Sequence, residues 1–294
     1  MSKNLSPALL NWQNRGQFIP VLDQNVFVIA ERELDAPALL ILHGFPTFSF
    51  DFHACLEMLA QNYRVVIHDH PGFGLSDKPR SYSYSLIEQA EVALAVWQEL
   101  DIQEAHLLAH DYGTSIATEL LARQQRGGLP VKLLSLSLCN GSVHIELARL
   151  TIAQRLMRNR ALGPSFVRLV SKSFFERRLR AIFATPDSVS REDLDVLWEG
   201  LNLNDGRHRL PQISRYLDER YRYWHRWIGA LGQSTLPAHI LWGQRDPIAV
   251  PEIAHRLHEE MPNSRLTFLP ELGHYPMLES PHEWASSVLS FLQR

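Results

Sequence analysis

Ala105-His106-Leu107-Leu108-Ala109-His110-Asp111-Tyr112-Gly113 is the stretch that decides the fold. Residues 105–109 form a short apolar strand-like run and 112–123 carry helical periodicity, so Asp111 stands where a strand turns directly into a helix. A chain that doubles back this sharply needs small residues two before and two after the turn, and Ala109 and Gly113 fill those places. The turn lifts its central side chain clear of the sheet. It also leaves the next N–H, that of Tyr112, free to hold an anion. A second register, Gly113-Thr114-Ser115-Ile116-Ala117, also spells small-x-Ser-x-small. It would push His110 and Asp111 into a buried strand and shorten a helix that needs Ala117, Leu120 and Leu121 on its core face. Asp111 is therefore read as the nucleophile, in preference to Ser115 and to a simple helix N-cap.

Outward from this turn, strand-like runs recur at 26–30, 38–42, 64–68, 133–138, 239–242 and 265–268. Helical patterns lie between them: one opened by a capping box at Ser85-Leu86-Ile87-Glu88 and running to about 100, then 112–123, 251–261 and 281–292. That alternation defines an α/β chain with a mostly parallel twisted sheet flanked by helices. From 142 to 231 the strand pattern stops and only helical periodicity remains. The expected organisation is a core of 1–141 and 232–294 with a helical insertion, 142–231, over one end of the sheet. Basic residues dominate part of the insertion, including Arg155, Arg158, Arg160, Arg168, Lys172, Arg177, Arg178 and Arg180. A basic amphipathic stretch can lie on a membrane surface, but helices packed over the core account for the pattern better.

Other parts of a site fall after other strands. His43-Gly44-Phe45-Pro46 follows 38–42, and the Phe45 N–H is expected to join that of Tyr112 in an oxyanion hole. Asp246 follows 239–242, and His274 lies on the loop before the last helix. The order nucleophile, acid, histidine differs from that of chymotrypsin or subtilisin. The alternative place for the acid, after 133–138, holds Asn140 with no carboxylate until Glu146, which favours Asp246. Gly72-Phe73-Gly74 lacks a third glycine and a following helix, so no dinucleotide site is expected. His68 and His70 are read as structural, and no metal or cofactor is expected.

With these residues placed, the chain from about 25 onward resembles the α/β-hydrolase superfamily, and within it the epoxide hydrolase and haloalkane dehalogenase branch. It is most similar to the mesoderm-specific transcript protein family. The matching runs are His43-Gly44-Phe45-Pro46-Thr47, 72–80 (Gly72 to Arg80), His110-Asp111-Tyr112-Gly113, Asn204-Asp205-Gly206 and 226–231 (Arg226 to Leu231). The resemblance implies an α/β-hydrolase fold with an inserted helical cap. It also implies an Asp111 carboxylate that attacks an sp³ carbon, and an ester hydrolysed by water that His274 activates and Asp246 orients. An epoxide hydrolase-like reaction on a small or medium apolar substrate would take its ring-opening proton from the cap, where Tyr216 is the candidate acid. Residues 143–215 hold no tyrosine, so a second donor must come from elsewhere, such as Tyr112. The alternatives are a haloalkane or haloacid dehalogenase, with Trp198, Trp224 or Trp227 reaching in to hold the halide, and a binding protein with little or no catalysis.

Composition narrows the classes further. A chain of 294 residues with 45% hydrophobic residues and net charge −3 is that of an ordinary globular protein, with no bias toward nucleic acid. No run has the length of a signal core or a membrane span, so a cytoplasmic address and a small-molecule substrate are expected. Cys55 and Cys139 are too few for a disulfide framework or thiolate site and are read as core.

Overall fold

The computed structural model describes residues 5–31 and 37–293, so the outermost limits of the expected units, 1 and 294, fall outside the described residues. Strand β1 (Gln17–Val21) turns through Leu22 and Asp23, both at positive φ, into β2 (Gln24–Glu31). Next come β3 (Ala38–Leu42), β4 (Arg64–His68), β5 (Glu104–His110), β6 (Lys132–Cys139), β7 (Ala238–Gly243) and β8 (Ser264–Leu269). They form one sheet in the order β1-β2-β4-β3-β5-β6-β7-β8. Only the pairings of β2 with β1 and β4 are antiparallel. β3 and β7 are buried along their whole length, as expected for strands covered on both faces. β1 was not expected from sequence. Pro20 weakens its strand signal, and it survives because it is an edge strand closed by a two-residue turn.

The helices are α1 (Pro7–Asn14), α2 (Leu56–Ala60), α3 (Leu86–Glu99) and α4 (Tyr112–Gln124) before β6. Between β6 and β7 the chain is helical, through α5 (Ile152–Arg158), α6 (Gly163–Leu169), α7 (Lys172–Arg180), α8 (Arg191–Asn202), α9 (Leu210–Ile213), α10 (Tyr216–Arg222) and α11 (Trp224–Gly232). Then follow α12 (Pro251–Glu260), α13 (Pro276–Glu279) and α14 (Pro281–Leu292). Among the described residues no helix is long and apolar enough to cross a membrane. At α3 only half of the expected capping box forms: the Ser85 hydroxyl accepts the Glu88 N–H at 3.1 Å, but the Ser85 N–H donates to Ser83 Oγ. A complete box instead opens α5, where Thr151 and Gln154 cap each other. Cys55 and Cys139 are both buried.

Two features tie the helical insertion to the sheet. Glu119 of α4 accepts a two-pronged pair of bonds from Arg226 (2.7 and 2.8 Å) and one from the Trp227 indole (2.9 Å), both on α11. Leu9 and Trp12 bury one side of α1, which packs on α8, with the Trp12 indole bonded to Ser49 Oγ at 3.1 Å. The direction of the chain reverses about β3: β4 lies on one side of it and β5 on the other. The carboxyl ends of β3 and β5 therefore flank a crevice, the usual place for a ligand in an open α/β sheet.

Gly113 fixes how closely α4 approaches that crevice. A Cβ there would lie 2.4 Å from the Leu42 carbonyl oxygen, which belongs to backbone and cannot swing away. Gly113→Ala is expected to destabilise the protein by about 3 kcal/mol, seen as a lowered urea midpoint with an unchanged slope. A wild-type midpoint would mean that the elbow is not held by this contact.

Candidate active site

Four strand ends supply the expected site residues. After β5, Asp111 adopts φ 40° and ψ −105°, a conformation costing about 1–3 kcal/mol for a non-glycine residue, and its carboxylate faces the crevice. After β3, the Phe45 N–H donates to Asp111 Oδ2 at 3.1 Å. Tyr112 begins α4, so its N–H is one of the helix's first amides, which have no partner within the helix. After β7, Asp246 Oδ1 accepts the N–H groups of Ile248 (2.7 Å) and Ala249 (3.0 Å). After β8, His274 Nδ1 donates to Asp246 Oδ2 at 2.6 Å. Asp111 and His274 both border one cavity of about 100 Å³. Asp111, Asp246, His274, Phe45 and Tyr112 are thus brought to one place. Ser115 is not at the turn: it lies inside α4, fully buried.

The charge state of His274 follows from its surroundings. Burial pulls the imidazole down, but the adjacent Asp246, by charge and hydrogen bond, outweighs it, with Asp111 and Glu279 adding to the effect; the result is raised to about 8. Neighbouring histidines behave in the opposite way. Burial lowers His110 to about 4 and His43 to about 3, so both are neutral and serve as hydrogen-bonding parts. His110 Nε2 holds the His274 carbonyl at 2.8 Å, and His43 Nε2 accepts the His70 N–H at 3.0 Å. His68 and His70 are fully buried in an aromatic layer, their rings 4.8 Å apart. The loop from Asp69 to Gly74 folds on the Asp69 carboxylate, which accepts the N–H groups of Ser49 and Leu75, and the next helix begins only at Leu86.

Several contributors were not evident from sequence. Asn140 after β6 bridges two strand ends, accepting the Gly243 N–H at 2.9 Å and donating to Asp246 Oδ2 at 2.7 Å. The position that lacks a carboxylate therefore positions the carboxylate found elsewhere. Tyr275 and Thr47 brace the loop that carries the Phe45 amide: the Tyr275 hydroxyl donates to the Phe45 carbonyl at 3.1 Å, and Thr47 bonds the buried Asp51 at 2.6 Å. Arg220 comes from α10, where Arg220-Tyr221-Arg222-Tyr223 reads as a solvated face, yet it is 1% exposed. Its Nε donates to Ser115 Oγ (2.8 Å), and its Nη2 donates to the Asp111 carbonyl (3.1 Å) and lies 3.8 Å from Asp111 Oδ1.

The insertion roofs the cavity with Met157, Phe175, Leu179 and Ile182, and its polar lining there is Thr151, Gln154 and Arg178. Tyr216, the candidate cap acid, is not on the cavity wall. Its ring is buried between Phe45 and Tyr112, under the Arg220 guanidinium, and its hydroxyl has no hydrogen-bond partner; the Gln154 amide is its polar neighbour. Tyr221 is exposed, and Tyr223 packs on Trp227. The tryptophans do not reach the cavity either. The indole N–H of Trp224 is bonded to Glu146 and that of Trp227 to Glu119, while Trp198 packs against Phe175 behind the lining.

A carboxylate on a strained strand-to-helix turn, a backbone amide on it and a His–Asp pair at the same sheet edge define a fold and site class. The chain belongs to the alpha/beta hydrolase fold family, which matches residues 37–281. Over 288 residues it is 41% identical to LipZ of Mycobacterium tuberculosis (strain ATCC 25618 / H37Rv), covering 98% of this chain and 99% of that protein. It is 35% identical to the Homo sapiens mesoderm-specific transcript homolog protein over 303 residues, 98% of this chain and 89% of that one. Its fold is that of a solved haloalkane dehalogenase, the DbeA-M1 loop variant from Bradyrhizobium elkanii, at TM-score 0.79 and 23% identity, covering 95% of this chain and 96% of the other.

Arg220 gives the site a measurable coupling. Arg220→Met leaves the Ser115 hydroxyl without the Arg220 donor and removes one of the donors to the Asp111 carbonyl, which keeps the N–H and hydroxyl of Thr114, and is expected to cost about 2 kcal/mol in urea unfolding. Adding Ser115→Ala should then cost about 1 kcal/mol less than it does in the wild type. Strict additivity in this double-mutant cycle would show that the two groups do not interact.

Proposed function

We propose that the protein is a hydrolase that uses Asp111 as nucleophile through a covalent alkyl-enzyme ester, acting on small or medium apolar epoxides. The observation that carries this reading is the residue at the turn: a carboxylate with one oxygen on the Phe45 amide, while the serine of the competing register is buried in α4 under Arg220. A serine nucleophile needs a base to remove its proton; a carboxylate does not, and it attacks sp³ carbon directly.

In the first step, Asp111 Oδ1 bonds to an epoxide carbon as the ring C–O bond breaks. The alkoxide takes a proton from an acid, for which Tyr216 is the candidate: it is close enough to feel the charge of Asp111, and its hydroxyl has only the Gln154 amide as polar neighbour. Gln154, the phenol's polar neighbour, lines the cavity and must move aside for the phenol to donate. In the second step, neutral His274 removes a proton from water, and the hydroxide adds to Asp111 Cγ. The resulting oxyanion on Oδ2 is held by the N–H groups of Phe45 and Tyr112. Protonated His274 returns the proton to the departing diol oxygen, and the Asp111 proton so left restores the phenol through solvent. The site's apolar roof suits such a substrate and limits competing water.

His274→Gln should block the second step. Exposed to epoxides, haloalkanes and haloacids, this variant is expected to accumulate an adduct that peptide mapping locates on Asp111, with a mass that separates a hydroxyalkyl from a plain alkyl ester. An adduct on Ser115, or cleavage of carboxylic esters by the wild type with no adduct at all, would overturn the aspartate reading. The wild type offers a second check. His274 must be neutral to act as base, so ester hydrolysis should rise with pH. Alkylation removes the Asp111 charge that helps hold the proton on His274, so the midpoint in single-turnover rates should fall below the value of about 8 set in the free protein. A rate independent of pH from about 5 to about 9, which spans the ordinary range of imidazole titration, would exclude His274 as the base.

A further inference from the structure

The helical insertion carries a surface that the chemistry beneath it does not explain. Residues 147–180 hold nine Arg or Lys and a single acidic residue, Glu176, in a chain whose overall net charge is −3. Three of the nine are paired: Arg158 with Asp218, Lys172 with Asp195 and Arg180 with Asp187. Among the described residues the other six, Arg149, Arg155, Arg160, Arg168, Arg177 and Arg178, have no carboxylate within 4.0 Å. The same stretch exposes four large aliphatic side chains, Leu147 (38%) and, more fully, the three that matter here: Ile152 (74%), Leu162 (54%) and Leu169 (83%). Leu162 and Leu169 are seven residues apart at the two ends of α6, hence on one face of that helix, and Arg155 follows Ile152 by three on one face of α5.

We propose that this face, formed by α5, α6 and the adjoining part of α7, docks on an anionic phospholipid bilayer. Exposed aliphatics set among unpaired guanidiniums match an interface whose outer layer is anionic and whose interior is apolar. Each guanidinium can bind a lipid phosphate without leaving water, while Ile152, Leu162 and Leu169 pass below the headgroups. Nucleic acid offers the charge but nothing for the three aliphatic side chains. A second copy of the chain would set like charges against each other across the contact. The surface also borders the cavity mouth: Ile152 lies between Thr151 and Ala153, which line the cavity, and exposed Arg178 of α7 lines it too. An apolar substrate dissolved in the bilayer would then have a short route to Asp111.

The test uses the full-length protein and needs no substrate. Co-sedimentation is measured with vesicles of phosphatidylcholine alone and of phosphatidylcholine mixed with phosphatidylglycerol, at low and high salt. Binding to the mixed vesicles is expected, weakening as salt screens the headgroups, with far less on phosphatidylcholine alone. The double substitution Leu162→Glu and Leu169→Glu, at exposed positions where the fold is undisturbed, should lower the bound fraction at least about tenfold with unchanged circular dichroism. Arg155→Gln with Arg160→Gln should weaken binding and reduce its salt dependence. The proposal is overturned by absence of binding to the mixed vesicles or by unchanged binding of the leucine variant. It is equally overturned if a duplex oligonucleotide binds as tightly as the vesicles and is insensitive to that variant, or if the leucines prove to hold a vesicle-free dimer. Failure here leaves the Asp111 adduct experiment untouched, and the converse also holds.

Discussion

Everything at this site depends on one backbone constraint, the turn that carries Asp111 between β5 and α4. Its φ of 40° is not a conformation that an aspartate adopts freely, so surrounding structure must hold it. Part of that hold is close approach. α4 lies so near β3 that only glycine fits at position 113, and a Cβ on Gly44 would lie 2.7 Å from the His110 ring. Part is hydrogen bonding: the Asp111 N–H bonds the Cys139 carbonyl, and the Gly113 N–H bonds that of His43. These contacts link the elbow to the ends of its two neighbouring strands, β3 and β6. The geometry that exposes the carboxylate is therefore the same geometry that gathers the ends of β3, β5 and β6.

The electrostatics follow from that crowding. Three carboxylates, Asp51, Asp111 and Asp246, are buried around the crevice, and each meets its own compensation. Asp246 is saturated by two backbone amides, Asn140 and His274, so its charge is well solvated by protein and is available to hold a proton on the imidazole. For Asp51 burial dominates and pushes it well above the usual carboxylate range, with the Thr47 hydroxyl and the more distant His274 opposing only in part. Asp111 has the Phe45 amide on one oxygen and the buried Arg220 guanidinium near the other. Arg220 spans from the insertion to the elbow, so the roof of the site and the charge on its floor are coupled by a single side chain.

The sheet and the turn were legible in the sequence because both are local. Two-residue and 3.6-residue periodicities mark strands and helices, and the steric demand of the elbow falls on residues within two of Asp111. His274 and Asp246 could be placed because each follows its own strand. β1 was hidden by Pro20 and by a turn that puts Leu22 at positive φ, a residue that gives no turn signal. Arg220 was hidden for another reason: its sequence neighbours are polar, and the partners that hold it, Ser115 and the Asp111 carbonyl, lie more than a hundred residues away. The indoles of Trp224 and Trp227 were open choices in the sequence because nothing local says that Glu146 and Glu119 would claim their N–H groups.

What the insertion leaves open to the cavity bears on the leaving group. In the proposed mechanism core elements supply attack and ester hydrolysis, steps common to epoxide and halide substrates; what differs is stabilisation of the departing atom. An alkoxide needs a proton, whereas a halide needs only hydrogen-bond donors. The indoles that could have held a halide are committed to glutamates or lie behind the lining, and such charge-assisted bonds are not readily exchanged. Tyr216 is different: its buried hydroxyl meets only the neutral Gln154 amide, not a carboxylate. On the proposed epoxide reading, a phenol whose one polar neighbour, Gln154, itself lines the cavity is better placed to meet a developing alkoxide than indoles bonded to glutamates.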